Sequence, residues 1–254
     1  LKFVLTVAGS DPTGGAGLQA DLKVVRAFGV HGLSVPTALT AQNTLGVFGV
    51  FPVERSFFLL QIESLLRDVR PDAVKAGMLY SAGTVDSLSQ AIKDYALENI
   101  VTDPVTVSSS GASLARDGAL ERIRDVLFPL SMVITPNIYE AAVITGLFIE
   151  DEGDMEKAAR ELKKMGPQAV VITGGHLERV TIDVFFDGNE MHRIETKKIP
   201  GEYHGTGCAF STAIASSLAL GHTPVESVRK AKDFVTEAVR KAYHIGKGMG
   251  ILRI

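Results

Sequence analysis

The chain has 254 residues, 46% hydrophobic and 22% charged, with a net charge of −3. That length and apolar content fit one large domain spanning 1–254 and exclude a disordered chain. The acidic balance supplies no basic face for nucleic acid, and a single cysteine excludes an internal disulfide or a cysteine-rich zinc site.

In chain order, FVLTVA (3–8) reads as a buried strand, and GLQADLKVVRAFG (17–29) carries Leu18, Leu22, Val25 and Phe28 at helix spacing. GLSVPTALT (32–40) is strand-like, with Pro36 demoting its middle toward an edge or irregular strand. A helix over 56–69, a short strand over 72–77 and a helix over 84–97 follow. The next strand, NIVTDPV (99–105), ends at a proline; a helix over 117–128 and a strand over 131–136 come after it. Helices over 138–146 and 154–166 each stop at a glycine, and QAVVITGG (168–175) is a strand running into glycines. TIDVFFDGNEMHRIET (181–196) is two strands around Asp-Gly-Asn, a hairpin signal. Two long helices, 206–220 and 224–243, complete the pattern.

This alternation predicts an α/β fold: a mostly parallel central sheet, helices on both faces, and an antiparallel hairpin at an edge. The stretch LKFVLTVAGSDP has no basic region followed by a long apolar run, so no secretory signal is expected. No run of about 18 apolar residues predicts a membrane span. The expected setting is the cytosol, where a lone thiol stays reduced.

Ligands in such sheets sit beyond the carboxyl ends of the strands. The residues there are small, polar or acidic: AGSDPTGGAG (8–17), TAQNT (40–44), KAGML (75–79), TDPVTVSSSG (102–111), TPNIYE (135–140), TGGH (173–176) and HGTGC (204–208). AGSDPTGGAG lacks the dinucleotide glycine spacing and the phosphate-loop lysine, so it is either a flexible turn or a close backbone approach to a ligand. Gly205, Thr206 and Gly207 precede a helix with no acid in its first turn, which suits an anion; a threonine cap among packing glycines accounts for the same residues. Cys208 is either a small buried hydrophobe or a thiol whose pKa a helix N-terminus lowers. Asn137 and Glu140, three apart at a helix start, fit magnesium through oxygen ligands and equally an ordinary helix entry. Asp103 is a metal ligand or a turn aspartate. His31, His176 and His204 lack metal-ligand spacing and are assigned to surface or loop.

Together these motifs resemble the hydroxymethylpyrimidine/phosphomethylpyrimidine kinases of the ribokinase-like superfamily. The resemblance runs nearly end to end through TVAGSDPTGGAGLQADLK (6–23), TAQNTLGV (40–47), KAGML, DPV (103–105), LFPLSMVITPNIYEA (127–141), GGHL (174–177), HGTGC and AKDFV (231–235). It implies a three-layer ribokinase-like fold, and ATP-dependent phosphorylation of 4-amino-5-hydroxymethyl-2-methylpyrimidine and then of its monophosphate. It implies that Gln42 pairs with the pyrimidine edge, that Asp21 faces the same end, and that Gly9, Met78 and Val105 line that pocket. Gly205 to Cys208 take the place of the anion hole, Cys208 where sugar kinases carry an aspartate base. Asn137 and Glu140, with Asp103, serve Mg2+; Thr173 and Lys232 lie at the ATP end. A monovalent cation and a homodimer are further family expectations. Ser109 and Thr173 stand where the family commonly has lysine, and Met249 where histidine is frequent. A vitamin B6 kinase and a non-catalytic pyrimidine-binding protein are the rival expectations.

Overall fold

The computed structural model describes residues 1–106, 114–116, 118–174 and 180–254. Ser109 and His176 lie outside the described residues.

The first unit is β1 (Phe3–Ser10), α1 (Gly17–Ala27) and β2 (His31–Asn43), and β1 runs parallel to β2. A strand that the sequence pattern does not signal, β3 (Gly46–Pro52), folds back antiparallel on the end of β2. Its residues alternate poorly because most are half-buried or exposed, so the period-2 signal is weak. Pro36 is tolerated inside β2 because β3 pairs only from Ala38 onward, and the β1 register shifts beside it, between Ala8 and Gly9.

The chain continues through α2 (Arg55–Leu66), β4 (Ala73–Ala76), α3 (Ala82–Asp94) and β5 (Ile100–Thr102). Ser81 caps α3 by accepting from the Thr84 N–H. The helix expected over 117–128 is shorter: α4 spans Ala119–Arg122, and the chain then widens into a π turn (Ile123–Leu127) and tightens over Phe128–Leu130. Pro129 has no N–H to continue an α-helix. Next come β6 (Val133–Ile134), α5 (Ile138–Thr145), α6 (Glu152–Lys164) and β7 (Ala169–Gly174). The expected hairpin forms as β8 (Val180–Phe186) and β9 (Met191–Lys197). The end of the chain holds β10 (Tyr203–His204), α7 (Thr206–Ala219), α8 (Pro224–Arg240) and β11 (Gly250–Ile251).

Among the described residues the main sheet has nine strands in the order β3-β2-β1-β4-β5-β6-β7-β8-β9, parallel from β2 to β7 and antiparallel at both margins. Side chains alternate between the faces. Leu5, Val74, Ile100, Ile134 and Val170 pack with α2, α3, α5 and α6. Val4, Ala73, Val101, Val133 and Ala169 pack with α1, α7 and α8. The result is the expected three-layer sandwich. Helix α7 is buried from Ala209 to Ala219, so small residues bring its backbone close to the sheet and hold its N-terminus fixed.

Candidate active site

The turns after β1, β4, β5 and β6, with Thr40 and Gln42 of β2 and Thr173 of β7, meet the start of α7 around one cavity of about 920 Å³. Two turns distant in sequence are pressed together here. A Cβ at Gly205 would sit 1.8 Å from Gly15 O, and one at Gly15 would sit 2.7 Å from His204 Cδ2. Gly205 also has φ +83°, a left-handed conformation. Gly15 of AGSDPTGGAG thus serves close backbone approach to the HGTGC turn.

One end of the cavity is apolar. Gly9 lets Met78 Sδ approach where a Cβ would stand at 2.7 Å, and Val105 packs on a small cluster of Ala38, Met78 and Leu114. Gln42 lines this end. A register shift between Ala41 and Gln42 re-aims its side chain relative to β3. Its amide lies 3.1 Å from His204 Nε2, and His204 Nε2 lies 2.8 Å from Asp11 Oδ2.

Next to it stands the start of α7. No side chain caps this helix and its first turn holds no acid, so its N–H groups and positive dipole end face the cavity. Thr206, Gly207 and Cys208 all line the space. Two readings of the thiol stood open, a small buried hydrophobe and a thiol acidified by the helix, and desolvation decides against acidification. Burial pushes Cys208 up to about 11, with Asp21 and Asp103 adding to the rise, against Lys75 and a Gly17 N–H that favour the thiolate. Desolvation outweighs the helix terminus, so the resting thiol is neutral.

The far end is acidic and polar. Asn137 accepts from the Glu140 N–H and Glu140 returns a bond to the Asn137 N–H, so the pair forms a full capping box on α5. Both line the cavity as well, so the capping role does not take them away from it. Asp103 is buried and accepts from Ser211 Oγ at 3.1 Å. Burial, then the charge of Asp103, raises Glu140 to about 8, and burial raises Asp103 too. Two carboxyls driven toward protonation beside the buried hydroxyl of Thr106, which has no hydrogen-bond partner among the described residues, make a donor set that fits a hard divalent cation. Among the described residues no group of three His, Cys, Asp or Glu is placed to hold a metal alone, so a cation here would need water or phosphate oxygens to complete its shell.

Thr173 lines the same end. Lys232 does too, but its ammonium is 2.8 Å from Asp183 Oδ2 in a buried ion pair. Asp183 carries no motif; its sign in the sequence is an acid between Ile182 and Val184 in an apolar strand.

One site expectation is corrected. Asp21 does not line the cavity. It is fully buried beneath it, bonded to Lys75 Nζ at 3.0 and 3.2 Å and to the Thr6 and Thr212 hydroxyls. A carboxylate on the inner face of α1 meets the lysine of β4, and that pairing takes it out of reach of a ligand. Lys75 was legible as the charged residue in the apolar strand of KAGML. His204, assigned to surface or loop, instead lies at the cavity with Asp11. Burial raises Asp11, but bonds from His204 and Thr13 outweigh it and hold the carboxyl below its ordinary range.

A sequence model described as phosphomethylpyrimidine kinase matches residues 11–253. The chain belongs to this family. A hydroxymethylpyrimidine/phosphomethylpyrimidine kinase of Bacillus subtilis is 42% identical over 97% of this chain and 92% of its own length. A bifunctional thiamine biosynthesis protein of Geobacter sulfurreducens is 45% identical over 97% of this chain, which spans only 51% of that relative. Among solved structures, phosphomethylpyrimidine kinase from Clostridium difficile superposes with TM-score 0.84 at 40% identity, covering 94% of this chain and 100% of that one. Pyridoxal kinase from Staphylococcus aureus, in complex with AMP-PCP and pyridoxal, superposes with TM-score 0.92 at 33% identity, covering 99% and 93%. Membership of the phosphomethylpyrimidine kinase family makes the chain a phosphotransferase, and the cavity's order of apolar end, helix terminus and acidic end suits one.

Proposed function

We propose that this protein, as a single kinase domain over residues 1–254, transfers the γ-phosphoryl group of ATP to 4-amino-5-hydroxymethyl-2-methylpyrimidine. It then phosphorylates the monophosphate to the diphosphate, in thiamin biosynthesis. The observation that carries this reading is the cavity's layout: an amide with donor and acceptor, Gln42, stands at the apolar end, and the uncapped start of α7 lies beside it. The amide matches an aminopyrimidine edge, and Gly9, Met78 and Val105 match its flat apolar ring. The helix terminus suits charge gathering on a transferring phosphoryl group.

Phosphoryl transfer asks for positioning and charge neutralisation more than covalent chemistry. Gly205 to Cys208 present N–H groups to the phosphoryl oxygens. Asp103, Asn137 and Glu140 would hold Mg2+, which supplies charge neutralisation between the phosphates. Thr173 and Lys232 stand at the nucleotide end, with Asp183 holding the ammonium of Lys232 in place. Cys208, neutral at rest, lies at the alcohol as a hydrogen-bond partner; a proton lost late from the attacking hydroxyl needs only a modest acceptor. A monovalent cation near the phosphates and a homodimer complete the reading. The dimer is supported by the exposed apolar side chains of Leu39, Phe48 and Phe51 on β2 and β3. Among the described residues no helix is long and apolar enough to cross a membrane, which accords with the cytosol as the working compartment.

Pure protein with Mg-ATP and the pyrimidine yields mono- and diphosphate on this reading; no product at high enzyme concentration refutes it. The pyridoxal kinases, with TM-scores of 0.92, support a second reading in which pyridoxal is the substrate. Comparing kcat/KM for the two rings decides between them. Tight pyrimidine binding without transfer is the outcome that favours a non-catalytic binder, which Thr173 in place of a lysine motivates.

A further inference from the structure

The hydrogen-bonding capacity of three neighbours fixes which way the Gln42 amide faces. Thr40 Oγ1 lies 2.9 Å from Ser10 O. A carbonyl only accepts, so the single hydroxyl proton points there. Thr40 can then only accept from the amide atom 3.1 Å away. At the other end, Asp11 Oδ2 receives Thr13 Oγ1 and the Ala16 N–H, both at 2.9 Å, and lies 2.8 Å from His204 Nε2. An ionised carboxylate also only accepts, so Nε2 carries a proton. A protonated Nε2 has no lone pair with which to accept, so an NH2 placed 3.1 Å from it would face a donor, whereas an amide oxygen there can share the one proton given mainly to Asp11. The orientation with Oε1 at Thr40 and Nε2 at His204 has the same distances but opposes two acceptors at one end and two donors at the other. Oε1 toward His204 and Nε2 toward Thr40 removes both clashes.

One acceptor lone pair and one N–H remain at the tip of the amide. We propose that the Asp11–His204 pair orders them, setting the acceptor on the His204 side and the donor on the Thr40 side, and that His204 is thereby the positioning residue for ring selection. The inference rests on the pyrimidine reading above and deepens it. A 4-aminopyrimidine carries the complementary edge, an exocyclic amine beside a ring nitrogen. It docks with the amine toward His204, and that orientation determines which ring substituent turns to Cys208. A pyridine ring flanked by carbon at its nitrogen has no such adjacent pair. His204 touches the amide and not the reacting atoms, so it acts on recognition and not on transfer.

Two measurements test this. The ring 15N spectrum of His204 in the unliganded protein reports which nitrogen holds the proton: a protonated Nε2 is expected, and a bare Nε2 overturns the inference whatever the protein phosphorylates. The second compares the aminopyrimidine with its analogue lacking the 4-amino group. His204→Ala is expected to raise KM for the aminopyrimidine about tenfold to a hundredfold, with kcat and KM for ATP within about threefold, and to compress discrimination between the two rings by a similar factor. His204→Gln keeps a donor at that place and recovers most of the discrimination. Unchanged discrimination in His204→Ala overturns the inference, as does an equal fall for both rings that His204→Gln does not rescue. If the wild-type protein phosphorylates neither ring, the functional reading fails, and the proton position on His204 still decides the orientation of the amide.

Discussion

Replacing Lys75 by methionine keeps the shape of β4 and removes the ammonium that holds Asp21. Both side chains are 0% exposed, and Nζ lies 3.0 and 3.2 Å from the two carboxylate oxygens. In Lys75→Met the carboxylate keeps the Thr6 and Thr212 hydroxyls but has no countercharge in its bonded shell. Removing one member of a buried pair costs about 3–5 kcal/mol. In a chain of this size each kcal/mol moves Tm by about 2–4 °C, so the variant should melt about 6–20 °C lower. Adding Asp21→Asn removes the stranded charge while leaving a group for both hydroxyls, and should restore at least about half of the loss. Calorimetric melting of the wild type, Lys75→Met and the double variant reads this directly. A single variant within about 2 °C of wild type, or a double variant no more stable than the single, refutes the account of a tightly paired buried charge.

Three further outcomes follow from the structure. Alkylation of Cys208 by iodoacetamide should be slow at pH 7 and climb as pH approaches about 11; because the folded protein holds this proton above the ordinary thiol value, the associated stability is complete below that value and is lost as pH rises toward 11, so full-rate alkylation at pH 7 contradicts the assignment. Gly205→Ala meets Gly15 O at 1.8 Å from a backbone at φ +83°, and should lower stability by about 3 kcal/mol or more and abolish turnover; a wild-type urea midpoint refutes the close-approach argument. Thr223→Ala breaks the capping box on α8, far from the cavity, and should cost about 1 kcal/mol by urea titration with turnover unchanged.

The sequence revealed what depends on local pattern and hid what depends on partners. Helix spacing located α1, α3, α6, α7 and α8 within a few residues, and Asp-Gly-Asn located the β8–β9 hairpin. β3 escaped because an exposed margin strand needs no alternation. The residues beyond the strand ends did converge on one cavity, since the α/β topology dictates that much. Charge pairing was not legible in the same way. Asp21 and Lys75 are 54 residues apart, Lys232 and Asp183 lie on different layers, and Asp11 and His204 are 193 apart. The state of the Cys208 thiol stayed open for a related reason: a helix start is visible in sequence, while the desolvation around its thiol is not.

The pairing of β10 with β11 has a consequence for the order in which the protein is assembled. Tyr203 and His204, immediately before the glycine turn into α7, are laid against Gly250 and Ile251, and Gly248 seats on the backbone of Thr44, two residues beyond Gln42. The entry to α7 is therefore clamped by residues synthesised 47 positions later, a separation the pairing itself defines. During translation the sheet and most helices can form on the ribosome, but the turn into α7 stays unbraced until residue 251 emerges. A nascent chain arrested before that point should be folded in its core and inactive in its chemistry.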